Sequence, residues 1–258
     1  MFTFSKYYRW CVDLIVTLLV WIYYLGSYFF FFLPLLFFVS LFSANREYTF
    51  QRISHLVHRS FFLFLRGVVP RLDIRIQDEI RSLRSSVIVC NHLSFLDPIL
   101  IISLFERHKT IVKGVFFKVP VISWMVKNSG YLPSTKDEGY HGLMIERVQG
   151  MKDYLSSGGN LFVFPEGTRS RDGKLGPFHK GAFRIAKLCR APIHVLIIKN
   201  TNKLFQPGRP LFDTSGKTLI EIEKIGTFTP EYESASFSTS NLIQQVRTLY
   251  DENLPSDT

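Results

Sequence analysis

Only three cysteines occur in the 258 residues, at positions 11, 90 and 189. An odd number so widely spaced builds no disulfide framework and fits a reducing, cytosol-facing compartment. No C-x-x-C pair and no H-E-x-x-H run is present, so no metal site is expected. No G-x-S-x-G elbow occurs either, and a covalent acyl-serine is therefore not expected. There is no internal repeat and no low-complexity linker. Acidic residues are few, 21 against 31 lysines and arginines, which leaves a net charge of +10. Such a balance calls for an anionic partner: phospholipid head groups, a phosphorylated substrate or nucleic acid. The lack of an RNP1-type signature, beside an N-terminus this apolar, sets nucleic acid aside.

What the chain has in excess is phenylalanine, 25 residues of it, many of them crowded before residue 70. From Cys11 to Ser43 the only charge is Asp13. A membrane-spanning helix needs about 20 apolar residues, and this run is half as long again. Gly26 and Pro34 interrupt it, so two readings stand: two short helices in a re-entrant hairpin, or one tilted span with an interfacial extension. Lys6 and Arg9 flank one end, Arg46 and Arg52 the other. Basic residues on both sides suit ends that face the cytoplasm. A cleaved signal peptide would have a much shorter apolar region. Phe50 to Val69 follows as an amphipathic helix, with Arg52, His55, His58, Arg59 and Arg66 among Phe61, Phe62, Phe64 and Leu65. It reads either as a helix lying in the head-group layer with its cations toward lipid, or as a surface helix packed on the domain. The expected division is a membrane segment over 1–69 and a catalytic domain over 70–258.

The second part alternates short apolar runs with helical spacing, the mark of an α/β domain. Strands are predicted at 72–76, 87–89, 110–113, 160–164, 192–198 and 218–224, with a short one after Tyr131. Helices are predicted at 98–106, 120–127, 140–156, 182–188 and 241–250. The tail 251–258 is polar.

Two turns in this domain carry chemistry. Asn91-His92-Leu93-Ser94-Phe95-Leu96-Asp97 sets an imidazole and a carboxylate five positions apart directly after a buried strand. That places them at the carboxyl end of a strand, where open α/β sheets keep their ligands. A carboxylate on one imidazole nitrogen fixes the tautomer, so the other nitrogen can take a proton from an alcohol. Asp97 before Pro98 also reads as a helix N-cap, and both roles are open to one carboxylate. The second turn, Pro165-Glu166-Gly167-Thr168-Arg169-Ser170-Arg171, precedes Lys174, Lys180 and Arg184. A glycine turn can aim backbone N–H groups at an anion, and guanidinium binds phosphate oxygens in pairs. A phosphate monoester suits the combination; so does no ligand at all, as a solvated basic loop.

Together these residues resemble the glycerophospholipid acyltransferase family, of the lysophosphatidic-acid acyltransferase type. The histidine followed after four residues by an aspartate is its hallmark, and 91–97 matches it with the flanking Asn91 and Ser94. Phe164–Ser170 is similar to its third block, and Phe178-His179-Lys180-Gly181 to the segment after that. Two departures occur. An arginine six residues after a glycine is usual in the second block, where Gly130 is followed here by Lys136, and lysine lacks the bidentate fork. The fourth block lacks its second proline in Pro192-Ile193-His194-Val195-Leu196.

The resemblance implies a mixed, mostly parallel sheet flanked by helices, with a membrane-embedded helical N-terminus. It implies His92 as general base held by Asp97, moving an acyl group from acyl-CoA or acyl-ACP to a lysophospholipid hydroxyl, with backbone N–H groups near the motif stabilising the oxyanion. Asn91, Ser94, Lys136, Glu166, Gly167, Thr168, Arg169 and Lys180 are its implied substrate-binding residues, with Arg171 as a weaker candidate. No metal and no bound cofactor are implied; the partners are the lipid acceptor, the acyl carrier and the membrane, with the catalytic domain on the cytoplasmic face. An acyltransferase for another lyso-lipid, such as a lyso-ornithine lipid, and a non-catalytic lipid-binding protein are the alternatives.

Overall fold

The computed structural model describes residues 2–134, 138–170 and 174–254, with the side chains of residues 2–5 and 138 left aside. Its N-terminal helices are α1 (Phe2–Ser27), α2 (Leu33–Phe42) and α3 (Arg46–Val68). A π-helical turn, Tyr28–Phe32, joins α1 to α2 without a break. Neither Gly26 nor Pro34 splits the apolar run into two short helices. Pro34 sits in the first turn of α2 directly after the widened turn, where its missing N–H and its ring are accommodated. The hairpin is made later, at Ser43–Asn45. There the Asn45 side chain accepts from the Tyr48 N–H and starts α3, which returns alongside α1 and α2.

The rest of the chain runs β1 (Leu72–Ile76), β2 (Ser86–Cys90), α4 (Leu96–Ile102), β3 (His108–Val112), α5 (Pro120–Asn128) and β4 (Leu132–Pro133). It continues through α6 (His141–Gln149), α7 (Met151–Ser156), β5 (Asn160–Val163), α8 (Gly181–Cys189), β6 (Ile193–Lys199), α9 (Thr201–Leu204), β7 (Thr218–Phe228) and α10 (Thr239–Asn253). The seven strands form one sheet in the order β1-β7-β6-β2-β5-β3-β4. All neighbours are parallel except β6 and β7. The predicted 140–156 helix is two, divided at Gly150. The predicted 98–106 helix starts two residues earlier and ends at Ile102, because proline in the first turn has no intrahelical bond to lose.

Strand pleat divides the core in two. Ile88 and Cys90 of β2 face one cluster with Val16 and Val20 of α1, Phe61 and Leu65 of α3 and Leu100 of α4. Val87 and Val89 face the other, with Leu155 of α7, Phe183 of α8 and Val246 of α10. Residues before and after position 69 thus share one core. The expected division at 69 and 70 is a change of composition, and the packing runs across it.

Helix α3 is packed on the domain rather than free in a head-group layer. Its buried positions include Phe50, Ser54, His58, Phe61 and Leu65, at helical spacing. His55 and His58, read from the sequence among its cations, point inward. Burial lowers both, His58 to about 4, and it lowers His108, bonded to the Phe105 carbonyl and the Tyr131 hydroxyl, to about 3. An unfolded histidine titrates near 6.5, so below that pH the unfolded chain binds protons that the native state refuses. The contribution of His58 is therefore complete above pH 6.5 and is lost toward about pH 4, at on the order of a kcal/mol per pH unit. His58→Gln is expected to flatten the fall of the thermal midpoint with acid. A slope equal to wild type would refute the assignment.

Candidate active site

Strands β2, β5 and β6 are neighbours and run in one direction, so the turns that follow them meet at one sheet edge. After β2, the chain bends through His92 into α4 and brings Asp97 back to the imidazole. Asp97 Oδ2 accepts from His92 Nδ1 at 2.9 Å and from the Leu93 and Ser94 N–H groups at 2.6 and 2.7 Å. Its Oδ1 accepts from the Thr201 hydroxyl at 2.5 Å. Asp97 is 0% exposed, and four donors make a buried carboxylate tolerable there. The predicted N-cap role is displaced: the helix starts at Leu96, and Asp97 caps the loop that precedes it.

His92 keeps 16% of its side chain accessible and stacks on Phe164, the residue after β5, with ring centroids 4.2 Å apart. With Nδ1 committed to Asp97, Nε2 is the nitrogen left for a substrate proton. The His92 N–H donates to Glu166 Oε1 at 3.2 Å, and its carbonyl accepts from the Ser170 N–H at 2.8 Å. The basic turn is thereby stapled to the histidine loop.

Several predicted residues are used differently from expectation. Asn91 bonds the N–H and carbonyl of Ile198, and Ser94 donates to the Phe205 carbonyl. Both are fully buried, so their polar atoms hold backbone and do not line an open site. Glu166 is also turned inward, between the N–H groups of His92 and Gly176. Burial raises its pKa, and those two donors and the His92 and Arg247 charges offset part of the rise. Arg247 of α10 in turn grips the carbonyls of Leu175 and Gly176. The N–H groups of His92, Leu93 and Ser94 are all spoken for by Glu166 and Asp97, so the oxyanion donors expected beside the motif are not these.

Gly167, Thr168, Arg169 and Lys180 are exposed on the rim, as an anion site requires. Gly167 has φ +66°, and a Cβ there would meet the His179 ring at 3.1 Å. Lys136 and Arg171 lie outside the described residues. Val195, where the fourth block departs from the expected pattern, is buried in the core between the sheet and α10. Among the described residues no three His, Cys, Asp or Glu side chains gather into a metal-binding group.

Thr201 and Phe205 lie outside every motif of the sequence, and Phe164, though it opens the third block, carries no sign there of its place under the imidazole. Thr201 is 104 positions from Asp97, and only the adjacency of β6 to β2 brings it there. Phe205, with Trp21 of α1, Phe95 and Leu96, lines a narrow apolar cleft beside the motif.

The site's residues also place the chain among known proteins. It is 35% identical over 138 residues to the chloroplastic 1-acyl-sn-glycerol-3-phosphate acyltransferase BAT2 of Brassica napus, covering 54% of this chain and 40% of that protein. It is 25% identical over 222 residues to the Saccharomyces cerevisiae 1-acyl-sn-glycerol-3-phosphate acyltransferase, covering 80% and 72%. The chain spans about two fifths of the length of BAT2 and of a second plant relative, LPAT1 of Arabidopsis thaliana. The crystal structure of the 1-acyl-sn-glycerophosphate (LPA) acyltransferase PlsC from Thermotoga maritima has the same fold, with a TM-score of 0.68 over 94% of this chain and 95% of that one at 22% identity. The model of the family described as Acyltransferase matches residues 71–199, half of the sequence, and the chain belongs to that family.

Proposed function

We propose that the chain is a membrane-bound O-acyltransferase that moves a fatty acyl group from acyl-CoA or acyl-ACP to the free hydroxyl of lysophosphatidic acid. The observation that carries this reading is the His92 Nδ1–Asp97 contact of 2.9 Å at a parallel-sheet edge, beside an exposed basic turn. His92 Nε2 removes the hydroxyl proton as the oxygen attacks the thioester carbonyl. The tetrahedral intermediate then expels the thiolate, which takes the proton back from the imidazolium. Gly167, Thr168, Arg169 and Lys180 receive the acceptor phosphate. The cleft at Trp21, Phe95 and Phe205 has the chemistry of an acyl-chain site. The transfer is direct and calls for no metal and no resident cofactor. That the relatives are named 1-acyl-sn-glycerol-3-phosphate acyltransferases favours lysophosphatidic acid as acceptor.

Membrane attachment rests on the continuous helix Lys6–Phe42, which contains an 18-residue stretch of mean hydropathy 2.1 with 11% of it buried. At about 1.5 Å per residue it is longer than a bilayer's hydrocarbon core of about 30 Å. With Lys6 and Arg9 at one end and Arg46 and Arg52 after the other, a helix unbroken by a hairpin brings both ends to cytoplasmic head groups by lying along that face rather than crossing the bilayer.

A panel of lyso-lipids offered with acyl-CoA and with acyl-ACP, read by thiol release and product mass, tests the reading. Phosphatidic acid as main product supports it. Product from a lysophospholipid with a larger head group, and none from lysophosphatidic acid, would replace the acceptor; Lys136 in place of the family's arginine favours that second reading. Thioester left intact with every acceptor would sink the enzyme assignment. Within the first reading, Arg169→Ala is expected to raise the acceptor KM by about tenfold or more with a smaller effect on kcat, the mark of a lost binding contact. A change confined to the donor's KM would move Arg169 out of the acceptor site.

A further inference from the structure

Strand β3 lies beside β5 and ends at Val112, level with the end of β5. The segment that leaves it, 113–121, therefore starts at the same sheet edge as His92 and Phe164. It is unlike the rest of the domain's surface. Seven large apolar side chains are exposed after residue 70 among the described residues, and four of them, Val115, Phe116, Val119 and Val121, fall in this stretch at 40–54% exposure. Exposed Lys113, Lys118 and Lys127 are interleaved with them or follow directly. Such a mixture of apolar tips and cations is what the boundary between acyl chains and anionic head groups accepts.

The segment is also tied to the apolar helices. Trp124 and Met125 of α5 pack on Phe32, Leu36, Phe50 and Ile53, and the Tyr28 hydroxyl bonds the Met125 sulfur. Gln51 of α3 donates to the Ser129 carbonyl at the end of α5. The helical turn so joined carries Phe29, Phe30 and Phe31, exposed by 55–78%. The exposed apolar turn of the N-terminal helix and the helix that segment 113–121 leads into are thus held together.

We propose that residues 113–121 form a second membrane contact, in which Val115, Phe116, Val119 and Val121 enter a phospholipid surface and turn the His92 edge of the sheet toward it. The proposal rests on membrane attachment through the N-terminal helix. Its consequence for function is that a lipid acceptor slides from the bilayer to the site along an apolar rim, without crossing water.

The full-length protein tests this with an environment-sensitive fluorophore on Val119→Cys, in a Cys11→Ser, Cys189→Ser background with Cys90 left buried. Leu188→Cys, exposed at the end of α8 on the opposite sheet edge, is the control. Flotation with phosphatidylcholine–phosphatidylglycerol vesicles reports binding separately. Bound protein is expected to show a blue shift at 119, quenched by a nitroxide lipid, and neither effect at 188. Bound protein whose 119 probe stays in water would overturn the second contact and leave the first. A shift at 119 that grows with protein concentration without vesicles would assign the patch to a second copy of the chain and overturn the proposal. Failure to float at all would overturn the attachment itself, and this inference with it.

Discussion

His92→Ala is expected to lower thioester turnover by about 10²–10⁴-fold or more, the usual contribution of a positioned general base. Neither of the two carboxylates beside it replaces it. Asp97 is buried and occupied by four donors, and Glu166 is held by two backbone N–H groups. The fold is expected to survive. The bonds that staple residue 92 to Glu166 and Ser170 come from its backbone, which alanine keeps. What is lost is the stacking on Phe164 and one of Asp97's four bonds. Thiol release measured beside far-ultraviolet circular dichroism and the thermal midpoint checks both halves. A variant with wild-type turnover would remove His92 from the mechanism, whatever its stability.

Asp97→Asn is expected to cost activity on a similar scale for a different reason, and stability as well. The amide oxygen can occupy the Oδ2 position and accept from His92, Leu93 and Ser94, while its nitrogen faces the Thr201 hydroxyl, which then has to accept. The shape is kept and the charge is gone. The imidazolium formed as the hydroxyl loses its proton then has no carboxylate to stabilise it. Hydrogen bonds to a charged group contribute about 1.5–3 kcal/mol against about 0.5–1.5 for neutral ones, so a loss of a few kcal/mol over four bonds is the expected order. Asp97→Ala is harsher, because it strands two backbone N–H groups and a threonine hydroxyl in a dry interior. The discriminating result is kcat of the folded Asn variant: near wild type, it would make Asp97 a purely structural cap. Thr201→Val, which removes only the fourth donor, is expected to lower kcat less than Asp97→Asn.

The proposed membrane attachment and the burial of α1 draw on the same helix. Asp13 Oδ1 accepts from the N–H and hydroxyl of Thr214, and the Thr17 hydroxyl accepts from the Phe212 N–H. The first half of α1 is therefore held to the catalytic domain beside the Trp21–Phe205 cleft, while Phe37, Phe38 and Phe42 of α2 project free. Asp13, the one charge in the run from Cys11 to Ser43, marks the part that the protein itself covers.

What the sequence determined by itself is local. Four residues between His92 and Asp97 are enough for a loop and a first helical turn to bring the two groups together, so their contact is legible from spacing. Apolar runs with β-branched residues reveal the strands, and the glycine–arginine turn after β5 exposes its own cations. The long apolar stretch announces a long helix with an exposed apolar surface through length alone. Tertiary structure decided which polar atoms are consumed and which are left for a ligand. Asn91, Ser94 and Glu166 sit in the same motifs as His92 and Arg169, yet their partners, Ile198, Phe205 and Gly176, come from other elements of the fold. Strand order set those partners, and strand order follows from long-range packing that no window of sequence contains. The same holds for His55 and His58, cations by residue type, which the closure of α3 over the sheet turns inward and keeps neutral. Charge and hydrogen-bonding capacity belong to the residue, but whether water or protein satisfies them depends on what the fold places opposite.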